Sequence, residues 1–190
     1  IPKTLIEKFP KGILNVHPSL LPQFRGASPV ESVILSGEKE TGVSIMLIDE
    51  KLDHGPVFVK EKISLSGEER ASTLENDLAR RGGRLLAEII PQWLSGNISP
   101  HAQDETRATF TKKITKEDGL ITSLDGKTAF KKLRAYDVWP RIYFFADKKD
   151  GSKIRVVITD AMLVGDTLVI TRVIPEGKKE MAYRDFLKNL

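Results

Sequence analysis

Cysteine is absent from this chain of 190 residues. Its absence excludes a disulfide framework and a thiolate metal site. Long apolar runs are also absent: the apolar stretches fall far below the roughly 20 residues that a membrane span needs. The first residues show no signal-peptide pattern, and no internal repeat or low-complexity tract occurs. The chain is nonetheless 40% hydrophobic, which is enough to bury a core. We therefore expect a soluble, cytoplasmic protein.

Charge is distributed unevenly along the chain. Residues 1–100 carry 12 Lys and Arg against 13 Asp and Glu, whereas residues 101–190 carry 18 against 13. A basic excess in one half indicates either a solvated, lysine-rich surface or a surface that faces a polyanion. Composition leaves both interpretations open.

The first half alternates helical and strand-like patterns. The predicted elements are a short helix in 2–9, a strand in 12–17, a helix in 28–36, strands in 41–48 and 57–64, and a long amphipathic helix in 71–94. The broad apolar face of that last helix contains Leu74, Leu78, Leu85, Leu86, Ile89 and Ile90. A doubly wound sheet needs neighbours for the strand in 12–17, and nothing upstream supplies them. We therefore expect the chain to be a fragment.

The second half has a different character. A polar stretch without sustained periodicity predicts an interdomain linker. Beyond it, we expect a helix in 126–136, strands in 142–146, 153–160 and 167–174, and a closing helix in 182–190. These strand signals indicate a small β-barrel or sheet. The predicted parts are a partial α/β domain (1–96), a linker (97–116) and a C-terminal barrel domain (117–190).

Polar residues follow two of the predicted strands. Asn15 and His17 end the first strand and lead into a proline-bounded loop, and Asp53 lies in the loop after the strand in 41–48. Asn15 and His17, two apart on a strand, project to the same face. Open α/β sheets place their sites at such carboxyl ends. Taken singly, a strand-end histidine and a turn aspartate are ordinary structural residues, so only their combination indicates a site.

Other candidates are weaker. Ser19 lacks a Gly-x-Ser-x-Gly elbow, so a hydroxyl that fixes the loop is a better interpretation than a nucleophile. Arg25 either clamps a carboxylate or caps the loop. His54 and His101 have no comparable setting, and we expect both to be surface histidines.

The stretch Asn15-Val16-His17-Pro18-Ser19-Leu20-Leu21-Pro22, followed by Asp53-His54-Gly55, resembles the signature of the folate-dependent formyltransferases. Further similarities cover almost the whole chain and indicate the methionyl-tRNA formyltransferase family. They lie in 40–46, 103–106, 112–114, 135–140 and 175–181. The barrel half separates this family from the purine-pathway formyltransferase, which stops after the α/β domain.

This resemblance implies an α/β fold: a Rossmann-like catalytic domain, here its C-terminal part, followed by a small barrel of OB type. The implied co-substrate is 10-formyltetrahydrofolate, no metal is required, and the implied partner is initiator methionyl-tRNA. We expect a monomer.

The resemblance also implies roles for individual residues. The catalytic set is Asn15, His17 and Asp53. The folate contacts would be Ser19, Leu20, Leu21 and Pro22, with Asp49, Glu50, Lys51 and Leu52 bordering the pterin pocket. The nucleic-acid contacts would be Arg25, Lys112, Lys113 and Lys116.

The chemistry fits these residue types. Formyl transfer to an amine passes through a tetrahedral intermediate whose oxygen becomes negative, so the site needs donors there. The Asn15 amide and a protonated His17 supply N–H groups. Asp53 would pair with the imidazolium and accept, directly or through water, the proton that the amine loses.

Alternatives share the same three residues. A sugar-nucleotide N-formyltransferase or a formyltetrahydrofolate hydrolase domain would use them as well, although the basic linker and barrel favour tRNA. A third alternative, from another class, is a nucleic-acid-binding fragment without activity.

Overall fold

The computed structural model describes residues 1–122, 125–188 and 190. It divides into two compact units: Ile1–Glu69 with Thr73–Lys113, and Arg70–Ser72 with Ile114–Leu190. The predicted mixed α/β class is confirmed. Within the described ranges, no helix has the length and apolar character needed to cross a membrane. The predicted barrel domain and closing helix include positions 123, 124 and 189, which lie outside the described residues.

The first unit combines three α-helices and a 3-10 helix (Glu105–Arg107) with two small sheets. Its elements are α1 (Lys3–Ile6), β1 (Leu14–His17), β2 (Arg25–Gly26), α2 (Pro29–Ser36), β3 (Glu40–Leu47), β4 (Val57–Ser64), α3 (Ala71–Leu94, beginning in the second unit) and β5 (Phe110–Thr111). In the larger sheet, β3 lies between β1 and β4 and is antiparallel to both. In the smaller sheet, β2 pairs in parallel with β5.

Close packing of α3 against the larger sheet fixes β1. Residues 41–46 of β3 are all buried, as expected for a strand covered on both faces. Four of the predicted apolar side chains of α3 are buried, whereas Leu86 is half-buried and Ile90 is exposed. A Cβ on Gly82 of α3 would lie 2.3 Å from Val16 Cγ1, so only glycine permits this approach. The helix therefore packs directly over the strand that carries Asn15 and His17.

Helix α2 follows the loop after β1 and has clear end signals. Pro29 occupies its first turn, where a missing N–H costs nothing. Gly37 ends it with φ +75°, and its N–H bonds to the Val33 and Ile34 carbonyls. The predicted helix in 28–36 thus differs from α2 by one residue.

The second unit is built around one antiparallel sheet. Its elements are α4 (Gly126–Ala135), β6 (Tyr143–Asp147), β7 (Lys153–Val164), β8 (Thr167–Pro175), β9 (Met181–Ala182) and α5 (Tyr183–Lys188). The strand order is β6-β7-β8-β9. Strand β7 is longer than predicted, because pairing with β8 continues to Val164 beyond register shifts between Ile158 and Ala161. The Rossmann-like and OB-like assignments stay predictions.

Candidate active site

Strand β1 carries two of the predicted site residues to its end. Its pairing with β3 places Asn15 opposite Met46 and His17 opposite Ser44. Alternation along the strand gives Asn15 and His17 the same face. Asn15 is half-buried, and His17 is only 4% exposed.

Both ring nitrogens of His17 face oxygen atoms. Nε2 lies 3.0 Å from the Phe24 carbonyl oxygen. A carbonyl only accepts hydrogen bonds, so Nε2 must carry the hydrogen. Nδ1 lies 3.7 Å from Asp53 Oδ2, which is ion-pair range but beyond a hydrogen bond. His17 and Asp53, 36 positions apart in sequence, therefore meet in space as predicted.

Asp53 is held in an unusual conformation. Its φ is +46°, in the left-handed region that aspartate enters more easily than most residues. Its Oδ2 atom accepts a hydrogen bond of 2.8 Å from the Gly26 N–H. The following turn depends on Gly55, because a Cβ there would lie 1.9 Å from the Leu47 carbonyl oxygen.

The loop after β1 is fixed by internal hydrogen bonds. Ser19 is fully buried, and its hydroxyl donates to the Gln23 carbonyl at 2.6 Å. Ser44 Oγ donates to the Ser19 carbonyl and accepts from the Leu21 N–H. The Lys60 ammonium donates to the Leu21 carbonyl; burial, with Arg107 nearby, lowers the Lys60 pKa. The Ser19 hydroxyl thus has the loop-fixing contacts that the sequence favoured.

The predicted folate residues of this loop are mostly covered. Ser19, Leu21 and Pro22 are buried, and Leu20 is half-buried. Their direct contact with folate stays a prediction.

A cavity opens beside Asn15 and Asp53. Its volume is about 390 Å³, within the range of small-molecule sites. Its lining consists of Ile1, Asn15, Met46, Ile48, Asp49, Glu50, Lys51, Leu52 and Asp53. It therefore brings together two of the three predicted catalytic residues and all four residues predicted to border the pterin.

A second layer of polar side chains lies behind Asp53, and the sequence did not reveal its role. Gln103 Nε2 donates to the carbonyls of Asp53 (2.9 Å) and Gly55 (2.7 Å). Gln103 Oε1 accepts from Arg25 Nε and Nη2. Arg25 also forms two hydrogen bonds with the Glu105 carboxylate, 2.6 and 3.0 Å long. In the sequence, Gln103 and Glu105 stood out only as part of the segment 103–106, which resembles the family and was predicted to be linker. The hydrogen bonds of Gln103 and Glu105 to Arg25, Asp53 and Gly55 lie within the first unit.

The nucleic-acid-binding role predicted for Arg25 requires a correction. Arg25 is 1% exposed, and its guanidinium is taken up by Gln103 and Glu105. A buried, paired guanidinium cannot reach a phosphate in solvent, so we withdraw Arg25 from the proposed nucleic-acid contacts. Of the alternatives drawn from sequence, the carboxylate clamp matches this geometry. The Arg25 hydrogen bonds also lower the pKa of Glu105.

The remaining candidates lie in varied settings. His54, expected at the surface, is half-buried, with Nδ1 2.5 Å from Asp49 Oδ2. His101 is exposed, as expected. Lys112 and Lys113, in the first unit, and Lys116, in the second, are also exposed. Across residues 1–122, 125–188 and 190, no group of three His, Asp or Glu side chains is arranged to hold a metal ion.

Comparison with known proteins identifies relatives of this chain. Residues 1–90 match the formyl transferase family model. The methionyl-tRNA formyltransferase of Chloroflexus aurantiacus is 46% identical over 137 residues, covering 72% of this chain and 44% of the relative. That of Listeria innocua is 35% identical over 207 residues, covering 98% of this chain and 66% of the relative. The chain thus spans from under half to two thirds of these relatives' lengths.

Solved structures share the fold. The methionyl-tRNA formyltransferase from Clostridium thermocellum superposes with a TM-score of 0.67 at 24% identity, covering 92% of this chain and 72% of that one. HypX from Aquifex aeolicus in complex with tetrahydrofolic acid gives 0.68 at 18% identity, covering 92% and 34%. A sugar 3N-formyl transferase solved with dTDP and 5-N-formyl-THF gives 0.64 at 14% identity, covering 88% and 66%.

These likenesses at low identity establish the fold, and the sequence relatives establish the lineage. The 35% identity to the Listeria enzyme extends over nearly the whole chain, including the second unit. The chain therefore belongs to the formyltransferase family, with the methionyl-tRNA formyltransferases as its sequence relatives.

Proposed function

We propose that this protein transfers a formyl group from 10-formyltetrahydrofolate to the amino group of initiator methionyl-tRNA. Asn15, His17 and Asp53 are the catalytic residues in this proposal. The finer fold assignment belongs to it as well: the first unit is part of a Rossmann-like catalytic domain, and the second is an OB-like domain that helps to hold the tRNA.

One observation carries the proposal. The His17 ring and the Asp53 carboxylate approach to 3.7 Å at the end of β1, and Asn15 and Asp53 line one cavity with residues 49–52. An amide donor, an imidazole and a carboxylate beside a cavity of suitable size are the groups that formyl transfer needs. The names of the sequence relatives support methionyl-tRNA as acceptor. The neighbours solved with tetrahydrofolate compounds support the donor.

We propose a distinct role for each group. The amine nitrogen attacks the formyl carbon, the carbonyl oxygen becomes an oxyanion, and the amide of Asn15 donates to it. Oδ2 of Asp53 accepts the Gly26 N–H, and the carboxylate takes the proton that the amine loses. The bond from the formyl carbon to N10 of the folate then breaks, and N10 takes up a proton.

His17 acts through charge more than through an N–H aimed at the oxyanion. Its Nε2–H is committed to the Phe24 carbonyl, and its Nδ1 faces Asp53. When protonated on both nitrogens, the ring adds a positive charge beside the developing oxyanion and pairs with Asp53. This role differs from the direct N–H donation expected from the sequence.

The exposed lysines supply the proposed tRNA contacts. Lys112 and Lys113 follow β5 in the first unit, and Lys116 begins a short 3-10 helix in the second. Lysine ammonium groups on a surface neutralise phosphates without reading sequence. They would orient the tRNA and leave the chemistry to the cavity residues.

A sugar nucleotide is the second candidate acceptor, because a sugar 3N-formyl transferase shares the fold with a TM-score of 0.64. The decisive experiment offers the protein 10-formyltetrahydrofolate with either methionyl initiator tRNA or an amino-sugar nucleotide. We expect formyl-methionyl-tRNA to form and the sugar to remain unmodified. Uncharged initiator tRNA, which lacks the amine, is the control. Formylation of the sugar alone, or release of formate alone, would overturn the proposal.

A further inference from the structure

We propose that Gln103 is a positioning residue, which Arg25 and Glu105 hold in place so that it fixes the Asp53 carboxylate for catalysis. This inference rests on the proposed function for its catalytic consequence. Its structural consequence, the placement of Asp53, stands independently of it.

Gln103 ties both ends of the turn that contains Asp53. Its Nε2 donates to the Asp53 carbonyl at 2.9 Å and to the Gly55 carbonyl at 2.7 Å. These two bonds use both hydrogens of the amide. Asp53 has φ +46°, a conformation that persists when surrounding contacts determine it. The Gln103 amide is such a contact.

The orientation of the amide follows from its partners. Arg25 only donates hydrogen bonds and the two carbonyls only accept them, so Oε1 must face Arg25 and Nε2 must face the turn. A flipped amide would direct hydrogens at a guanidinium and an oxygen at two carbonyls. The contacts therefore allow one orientation of the side chain.

Arg25 holds Gln103 from a buried position. Its guanidinium donates to Gln103 Oε1 at 2.8 and 3.2 Å and to the Glu105 carboxylate at 2.6 and 3.0 Å. Burying an unpaired guanidinium would be costly, so these pairings lock the side chain. Bidentate pairing also fixes its plane. The fixed guanidinium of Arg25 therefore restricts the position of Gln103 Oε1.

Strand β2, which contains Arg25, also holds the Asp53 side chain. Gly26, next to Arg25 in β2, donates its N–H to Asp53 Oδ2 at 2.8 Å. The carbonyl of Asp53 is thus tied through Gln103, and its carboxylate through Gly26. The first contact depends on Arg25, which bonds to Gln103, and the second is made by the neighbouring Gly26. If Gln103 is removed, the turn loses its backbone tie and the carboxylate drifts from Gly26 and from His17.

The test measures the placement of Asp53 directly. In Gln103→Ala, hydrogen exchange at the Gly26 amide, followed by NMR, should accelerate about tenfold, as expected for loss of roughly 1.4 kcal/mol of protection. Gln103→Glu keeps the acceptor for Arg25 but turns an oxygen toward two carbonyls, and it should show the same effect. The core amide of Leu78 reports global stability and should keep its protection in any variant that folds.

Activity provides the second readout. Misplaced catalytic groups should lower kcat for methionyl-tRNA formylation by about 10- to 100-fold. KM for the formyl donor should change less than kcat, since Asp53 is the lining residue that Gln103 holds. Gln92→Ala is the matched control: the side-chain amide of this exposed glutamine donates to the Glu88 carbonyl within α3, so neither readout should change.

The outcomes separate the two proposals. Unchanged Gly26 exchange in both Gln103 variants would overturn the positioning role. Faster exchange with wild-type kcat would overturn its catalytic consequence. If the wild-type protein forms no formyl-methionyl-tRNA, the proposed function fails, and the Gly26 exchange alone decides whether Gln103 places Asp53.

Discussion

At the scale of single residues, a few hydrogen-bond donors and acceptors decide what the site can do. Asn15 is half-buried and lines the cavity together with Asp53. The Nε2–H of His17 donates to the Phe24 carbonyl, and Oδ2 of Asp53 accepts a hydrogen bond from the Gly26 N–H. In the proposed reaction, stabilisation of the oxyanion therefore falls mainly to Asn15.

Replacing Asn15 should impair the chemical step. We expect Asn15→Ala to lower kcat by roughly 10² to 10³, the loss typical of one oxyanion donor. KM for both substrates should change little, because the donor is needed most in the transition state. Steady-state kinetics would measure this. The exposed Asn97, changed to alanine, is the control; a rise in KM with unchanged kcat would make Asn15 a binding residue instead.

The Arg25–Glu105 pair should make stability depend on pH. The pKa of Glu105 is lowered in the folded protein, chiefly by its hydrogen bonds to Arg25. Its contribution to stability is therefore present above the unfolded-state pKa, about 4.3, and is lost as pH falls through the lower folded-state value. Glu105→Gln should be less stable than wild type near pH 7, and the difference should shrink as the solution is acidified below that range.

Urea unfolding of wild type and Glu105→Gln across this pH range would measure the effect. Glu38→Gln, a change at another exposed glutamate, is the control and should follow the wild type throughout. A Glu105→Gln difference that is the same at every pH would refute the ion pair as its source.

Some of these residues could be predicted from the sequence, and others could not. Asn15, His17 and Asp53 belong to short motifs whose residue types suit the chemistry, and the structure brings them together. Gln103 and Glu105 have no chemistry-bearing pattern of their own, because their role depends on the fold returning 103–105 to Arg25. The burial of Arg25 was unpredictable for the same reason: its partners lie about 80 residues away in the chain.

At the scale of elements, packing of α3 on β1 sets the position of the site. Gly82 and Gly83 are adjacent in this helix but differ in surroundings. A Cβ on Gly82 would lie 2.3 Å from Val16 Cγ1 and 3.1 Å from Val43 Cγ2, whereas a Cβ on Gly83 would meet nothing within 4 Å. Val16 lies between Asn15 and His17, so displacement here would move the strand that carries both residues.

The two glycines should respond oppositely to alanine. Gly82→Ala overpacks the interface and should destabilise the protein by about 1–3 kcal/mol. Gly83→Ala, with open space around it, should stabilise by about 0.5–1 kcal/mol through helix propensity. Chemical denaturation of both variants gives the comparison. Equal stabilisation by the two changes would show that α3 does not pack as closely on β1 as described.

Most elements could be located from periodicity, and their ends less well. Helix α3 was predicted with its observed limits because its apolar face, preceding polar turn and following Gly96 all agree. Strand β7 runs four residues further than predicted, because its last part is defined by pairing with β8, which a local pattern does not contain. Short elements such as β2 and β5 exist only through their mutual pairing.

At the scale of the whole molecule, the basic residues proposed to bind tRNA are distinct from the residues proposed to carry out formyl transfer. The basic excess of residues 101–190 is consistent with contacts to tRNA phosphates, which position a substrate without acting on it. Binding should then depend on salt, whereas formyl transfer to a small amine should not.

The lysines after β5 offer a direct test. Changing Lys112 and Lys113 together to alanine should flatten the dependence of log affinity for tRNA on log salt by roughly one unit per lost contact. Fluorescence titrations at several salt concentrations would measure the slopes. Lys8 and Lys11, also exposed and changed together, are the control. An identical slope in both double variants would leave Lys112 and Lys113 as a solvated surface.

In the proposed reaction, formyl transfer depends on the Asp53 carboxylate beside His17. The most direct test of this dependence is the single-turnover rate of formyl-methionyl-tRNA formation by wild type and Asp53→Asn, with thermal unfolding of both. Asparagine preserves the shape and can still accept the Gly26 N–H, but it neither pairs with an imidazolium nor takes a proton. We predict an unfolding midpoint close to wild type with loss of most of the rate. A wild-type rate in Asp53→Asn would show that formyl transfer does not need this carboxylate.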